Sequence, residues 1–228
     1  GVASKSFEKF GIFQTTTFEK ELLEKTISEV IKKLKLKSQT LTKKRISKIL
    51  KLIAMNPEIL KGRITNIPFK KNNSEKIIDK EEKKIILDLI LNKAQKKVAE
   101  RFEENHKIAL NEIKVFKKEI IKTKISGYKV SSILNQKGKI FDFRVLIIFT
   151  LKNYLQIFNL IKKSFISEKT IFVHEVEGLI SWLKDKKNFS GTFIDIGSRF
   201  TQFFLVKDGL LKWMGEFEIG GDIFTEAL

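Results

Sequence analysis

Two glycine-bearing turns near the C-terminal end carry the residues best placed to do chemistry. In "FIDIGSRFT" an apolar run delivers Asp195 to the end of a strand, and Gly197 lets the backbone turn sharply. Ser198 follows in the turn, and Thr201 opens the returning strand with a hydroxyl beside it. Exposed N–H groups in such a turn make an anion nest. A carboxylate beside a phosphate cradle suits Mg²⁺ held through water. In "GGDIFTEAL", Gly220 and Gly221 precede a helix start, whose N-terminus also favours a phosphate or a nucleoside. The expected ligand set is therefore Asp195, Gly197, Ser198, Thr201, Gly220 and Gly221, with Asp195 as the Mg²⁺ residue. No catalytic base is identified.

Other chemistries are poorly supplied. The 228 residues contain no Cys, which removes disulfides and thiolate metal sites. The two histidines, His106 and His174, lie far apart in sequence, with no visible carboxylate set to join them at a metal. No apolar run reaches the roughly 18 residues of a membrane span, so the chain reads as intracellular. The net charge is +18, and its distribution is uneven. Residues 1–59 hold 13 Lys/Arg against 6 Asp/Glu, residues 60–150 hold 22 against 11, and residues 151–228 hold 10 against 10. Such a field favours acidic partners, although abundant Lys with Ile, Asn and Phe also fits plain solvated surface.

The elements that must position the turns follow from periodicity. "FEKELLEKTISEVIKKL" (18–34) has an apolar face at helical spacing. The segment before it reads as two short strands. Residues 46–55 are open between strand and helix, and Asn56-Pro57 ends them. Residues 62–69 alternate like a strand. A long helix follows, with Asp79 and Glu82 at capping-box spacing. Leu87, Ile90, Leu91, Ala94, Val98 and Phe102 line one face, and Ile85, Ile86 and Leu89 widen the stripe so far that cover on more than one side is expected. Residues 113–130 read as one long strand or two, 136–138 as a turn and 139–150 as a strong strand. Then come a helix (153–165), a strand (169–174) and a helix (175–185). Three strands complete the pattern, about 192–196, 201–207 and 210–218. The fold class is α/β, mixed α+β.

Asp-x-Gly-x-x-x-Thr on a hairpin, followed by Gly-Gly-x-x-x-Thr, resembles the second half of the actin, heat-shock-chaperone and sugar-kinase ATPase fold, an actin/ribonuclease-H-like architecture. "DIGSRFT" is similar to its second phosphate loop and "GGDIFTEAL" to the helix after it. Within that superfamily the chain looks like the bacterial actin-like proteins FtsA, of cell division, and PilM, of type IV pilus assembly. These insert a small strand-helix-strand-strand subdomain into their first domain, the order that residues 60–150 show. "VHEVEGLISWL" resembles the step into the second phosphate loop.

The resemblance implies 1–59 as the first part of actin-like domain I, 60–150 as the inserted subdomain, 151–190 as the rest of domain I and 191–228 as the start of domain II. It implies ATP and Mg²⁺ as cofactors, and at most weak ATPase activity. The implied role is a scaffold that is cytoplasmic and peripheral at the inner membrane. It would self-associate or bind an FtsZ-like or pilus inner-membrane protein, with no specific nucleic acid. The insert, at a net +11, would meet an acidic surface. The first phosphate loop and the adenosine turn of the superfamily are missing, so an internal fragment is expected. Arg199 and Phe200 replace small residues of the loop and would narrow it. A sugar-kinase-like phosphotransferase is the alternative, weakened because such kinases lack this insert. A basic nucleic-acid binder is a third reading, motivated by nine Lys/Arg without an acid in 31–51. That stretch lacks aromatic stacking residues at binding spacing.

Overall fold

Residues 51–164, 170–186 and 188–223, with residues 25, 28–30, 32, 33 and 36, are described by a computed structural model of the chain. The residues described between 25 and 36 are helical, as the periodicity of 18–34 predicts. The expected strands before residue 18 lie outside the described residues. The chain divides into two compact units, 1–54 with 153–173 and 55–152 with 174–228.

In the first unit, Lys51–Ala54 forms strand β1, so the described part of 46–55 is strand up to Ala54, and 46–50 lie outside the described residues. It pairs in parallel with a strand at Thr170–Val173, named β6 in chain order. Helix α2, Leu155–Ser164, buries Ile157, Phe158, Leu160 and Ile161. Phe158 meets Phe172 of β6 edge to face at 4.8 Å between ring centroids.

The second unit contains a four-stranded antiparallel sheet. Its strands are β2 (Lys61–Lys70), β3 (Ile113–Ile125), β4 (Tyr128–Val130) and β5 (Ile140–Leu151), in the order β2-β5-β3-β4. Residues 113–130 are thus two strands. They turn at Ser126 and Gly127, whose φ values of 48° and 89° suit a two-residue hairpin turn. Helix α1, Lys80–His106, crosses one face of this sheet. Asp79 caps it by accepting the Glu82 N–H at 2.8 Å. The Glu82 carboxylate pairs with Lys71 at 3.2 Å.

Ile86, Ile90, Ala94, Val98 and Phe102 of α1 pack on Phe141, Phe143, Val145, Ile147 and Phe149 of β5. The other flank differs from expectation. Ile85 is 67 % and Leu89 40 % exposed, so one sheet supplies the cover of this helix. The broad apolar composition reflects a run of Ile and Leu in which only every third or fourth position can face the sheet. On the opposite face of β5, Leu146 and Ile148 are also buried, which is why this strand reads as continuous apolar sequence.

Helix α3, Glu175–Leu183, follows β6. Then β7 (Gly191–Ile196), β8 (Thr201–Lys207) and β9 (Leu210–Phe217) make a three-stranded antiparallel meander, ending at a helical turn that begins at Asp222. The strand-helix-strand-strand order of 60–150 is present, with β4 added. Among the described residues no helix is long and apolar enough to cross a membrane.

The packing of α1 gives a direct test. Ile90→Ala should cost about 2–5 kcal/mol, the range for truncating a fully buried aliphatic side chain. Ile85→Ala, on the exposed flank, should stay within about 0.5 kcal/mol of wild type. Urea unfolding of both variants checks the difference, and equal losses would mean that the exposed flank is covered.

Candidate functional site

The loop at 197–200 and the turn at 220–221 are built against each other. Gly197 donates its N–H to Phe200 O at 2.9 Å, closing the β7–β8 hairpin. Gly221 donates to Gly197 O at 2.9 Å, and Asp222 donates to Ser198 O at 2.8 Å. The Thr201 hydroxyl, in a buried position, donates to Ile219 O at 2.6 Å. Gly197, Ser198, Thr201, Gly220 and Gly221 therefore lie in one cluster, and Asp195 stands two residues before it on β7. The groups expected to face a ligand are spent on backbone carbonyls: the Gly197 N–H closes its own hairpin, and the Gly221 N–H and the Thr201 hydroxyl tie the two turned segments together. Gly220 makes this approach possible. A Cβ on it would lie 2.2 Å from Ser198 O and 2.6 Å from Arg199 N, both backbone atoms. Arg199 turns away from the cradle to Glu58, with its Nη1 3.1 Å from Oε1, and Phe200 is buried. Neither side chain fills the loop in the way expected of bulky substitutions.

Asp195 is exposed at the end of β7 and pairs across the hairpin with Gln202. Its carboxylate lies within hydrogen-bonding reach of Glu175, the first residue of α3. Gln202, itself buried, donates its side-chain N–H to the same Glu175. Burial and the neighbouring Asp195 push the Glu175 carboxyl up to about 7, against the Gln202 hydrogen bond, which lowers it. Two carboxylates share one site there, and a proton is what relieves them. Sequence reasoning had "VHEVEGLISWL" as a structural step and missed Glu175 and Gln202. Only the chain path, bringing the start of α3 beside β7, reveals them.

The start of α3 is fixed by His174. Its Nδ1 accepts the Val176 N–H at 3.1 Å, and its own N–H is accepted by Glu177 Oε2 at 3.0 Å, a complete capping box. With Nδ1 accepting, the ring proton sits on Nε2, which is buried and has no hydrogen-bond partner among the described residues. Burial pushes this imidazole down to about 4, outweighing the raising effect of Glu216 and Glu177, so it is neutral at pH 7. Close by, Glu216 of β9 accepts from Lys61 at 2.8 Å and Arg63 at 3.1 Å. Burial alone would raise its carboxyl, but Arg63 and Lys61 hold it below the usual carboxylate range.

The fold is mixed α/β, with two glycine turns built against each other, and it is shared with a solved structure. Among solved structures, the chain matches a chain of the "PilM-PilN type IV pilus biogenesis complex" at a TM-score of 0.59 and 14 % identity, over 99 % of its own length and 56 % of that chain. It therefore spans little more than half of that neighbour's length. A second match is a protein with an actin-like ATPase fold and unknown function from Bacteroides thetaiotaomicron, at a TM-score of 0.34 and 14 % identity, covering 87 % of this chain and 58 % of that one. No family model matches the sequence, and no curated protein is similar to it.

Two outcomes follow from this geometry. Gly220→Ala should lose about 1–3 kcal/mol, as overpacking does. Gly221→Ala, whose Cβ would meet nothing nearer than 3.8 Å, should be close to neutral sterically, a contrast that denaturant midpoints read directly. The second concerns His174. Its folded value lies below the unfolded 6.5, so the unfolded chain takes up the proton first as pH falls. The stability it contributes is whole above about pH 6.5 and is lost towards pH 4, roughly 3 kcal/mol in all. Glu175, raised in the folded state, acts in the opposite sense between pH 7 and 4.5. His174→Asn keeps a capping side chain and removes only the first effect. Subtracting its pH–stability curve from that of wild type should leave the loss below pH 6.5. Parallel curves would show that His174 titrates normally.

Proposed function

We propose that this chain is the nucleotide-binding part of an actin-like assembly protein, with the phosphates of ATP at the 197–200 loop. The observation that carries this reading is the carboxylate pair of Asp195 and Glu175 beside a glycine loop braced by Gly220 and Gly221. Among the described residues no group of three or more His, Asp or Glu could hold a metal alone. That fits Mg²⁺, which typically takes one or two carboxylates and completes its shell with water and substrate phosphates. Asp195 and Glu175 would hold the ion, which would neutralise phosphate charge. The raised Glu175 carboxyl marks the site as one where a cation would be favoured.

The roles of the remaining residues follow from their contacts. Gly197, Ser198, Thr201, Gly220 and Gly221 fix the shape of the loop, with the Ser198–Arg199 peptide lying against Gly220. Gln202 orients Glu175 from the neighbouring strand. The reading extends to a scaffold role at the inner face of the membrane, through protein partners and self-association. The PilM–PilN neighbour favours pilus assembly, with an inner-membrane pilus protein as partner, over cell division. Residues 60–150 are then the inserted contact subdomain, and 191–228 the start of the second actin-like domain.

In the full-length protein, Asp195→Ala should weaken Mg-ATP binding at least about tenfold, or 1.4 kcal/mol. Titration calorimetry on wild type and variant is the measurement. Equal affinities would reject Asp195 as a ligand and, with it, this placement of the nucleotide.

A further inference from the structure

A second site lies at the far end of the β7–β8 hairpin from Asp195. The β8–β9 turn at Asp208 and Gly209, the C-terminal part of α3 and the face of the four-stranded sheet turned away from α1 enclose a cavity of about 460 Å³. Ile180, Leu183 and Leu211 form apolar walls, and Lys122, Lys129 and Arg144 line the sheet side. That volume suits a small molecule.

The strand register makes the charges unusual. Lys122 of β3 sits directly opposite Arg144 of β5, and Lys124 directly opposite Lys129 of β4. These are two like-charge cross-strand pairs in adjacent positions on one face, and such pairs are destabilising. Arg144 is held in place by neutral acceptors, Asn66 Oδ1 at 3.0 Å and Leu211 O at 3.1 Å. Among the described residues no carboxylate lies within ion-pair distance of Lys122, Lys129, Arg144 or the adjacent Lys212 of β9. Three acids border the cluster: Glu119 and Asp208 line the cavity, with Glu119 paired to Lys117 at 2.8 Å, and Asp142 of β5 sits opposite Lys124 in register. Burial, followed by Lys212, Lys124, Arg144 and Lys129, pushes the Lys122 amine down to about 8. Burial also lowers Arg144 and, with Arg144 beside it, Lys212. A solvated lysine surface would spread these charges apart rather than stack them across paired strands beside an apolar-walled cleft.

We propose that this cavity binds a compact phosphate-bearing anion, with Lys122, Lys129 and Arg144 as the phosphate-contacting side chains and the Ile180–Leu183 wall taking its apolar portion. Lysines serve phosphate as point charges, and several within one small cavity match a ligand that concentrates negative charge in little volume. The source is either a free phosphorylated small molecule or the headgroup of an anionic lipid. The site is independent of the nucleotide reading, since it shares no residue with the 197–200 loop.

Calorimetric titration of the 228-residue chain with sodium pyrophosphate, at low and high salt, tests it. Wild type should bind, more weakly at high salt, and Lys122→Gln/Lys129→Gln should bind at least about tenfold more weakly. Without ligand, the same variant should melt at the wild-type temperature or higher, because repulsion is relieved. That check separates loss of a ligand contact from loss of fold. Sedimentation with phosphatidylglycerol vesicles, against phosphatidylcholine, distinguishes the sources. Pelleting of wild type but not of the double variant assigns a lipid headgroup, and pyrophosphate heat without pelleting assigns a free small molecule. Neither signal in wild type, or equal signals in the double variant, overturns the proposal.

Discussion

The second unit depends on one buried charge. Glu216 is set into β9 between Lys61 and Arg63 of β2, so that the edge of the four-stranded sheet and the edge of the meander meet across an ion cluster. Desolvating a carboxylate is costly, and only close, hydrogen-bonded partners recover the cost. Removing Glu216 would strand two partly buried cations, and removing both cations would strand the carboxylate. The cluster works best as a device for register. It admits one relative position of β2 and β9, because the next residue along either strand points to the opposite face.

The contents of the candidate site follow from that position. Gly62 lies in β2 beside Arg63, and a Cβ there would come 2.7 Å from Met214 of β9 and 3.1 Å from His174 Nε2. The bare backbone at Gly62 lets His174 enter, His174 caps α3, and α3 begins at Glu175. Asp195 meets Glu175 only because each of these steps holds. A neutral imidazole whose ring N–H has no partner among the described residues is an expensive cap, and burial is the main cause of its neutrality. Two cations beside it, together with burial, oppose a third positive charge, although Glu216 and Glu177 pull the other way.

The two glycine turns illustrate a related constraint. Each could be taken for a separate anion site, since each has backbone donors and freedom to bend. In the folded chain the second turn spends N–H groups on carbonyls of the first. What remains for a ligand is the outer edge of one braced loop and a carboxylate pair. Preorganisation of this kind restricts the loop before any ligand arrives, and it is the usual way a small number of polar groups achieves specificity.

The sequence by itself determined the elements. Period-two alternation at 62–69, the apolar continuity of 139–150, the Asp79 cap, the break at Asn56-Pro57 and the three terminal strands all appear where local chemistry puts them. Local rules suffice there because capping, turn residues and hydrophobic period act within a few residues. That the two turns at 197–200 and 220–221 are turns was legible because their glycines mark themselves. Tertiary structure decided what long-range contact decides. It exposed Ile85 and Leu89, brought Glu175 and Gln202 to Asp195, turned Arg199 to Glu58, and set Lys122 against Arg144. No periodicity carries those pairings, since each joins residues that only strand register and chain path bring together.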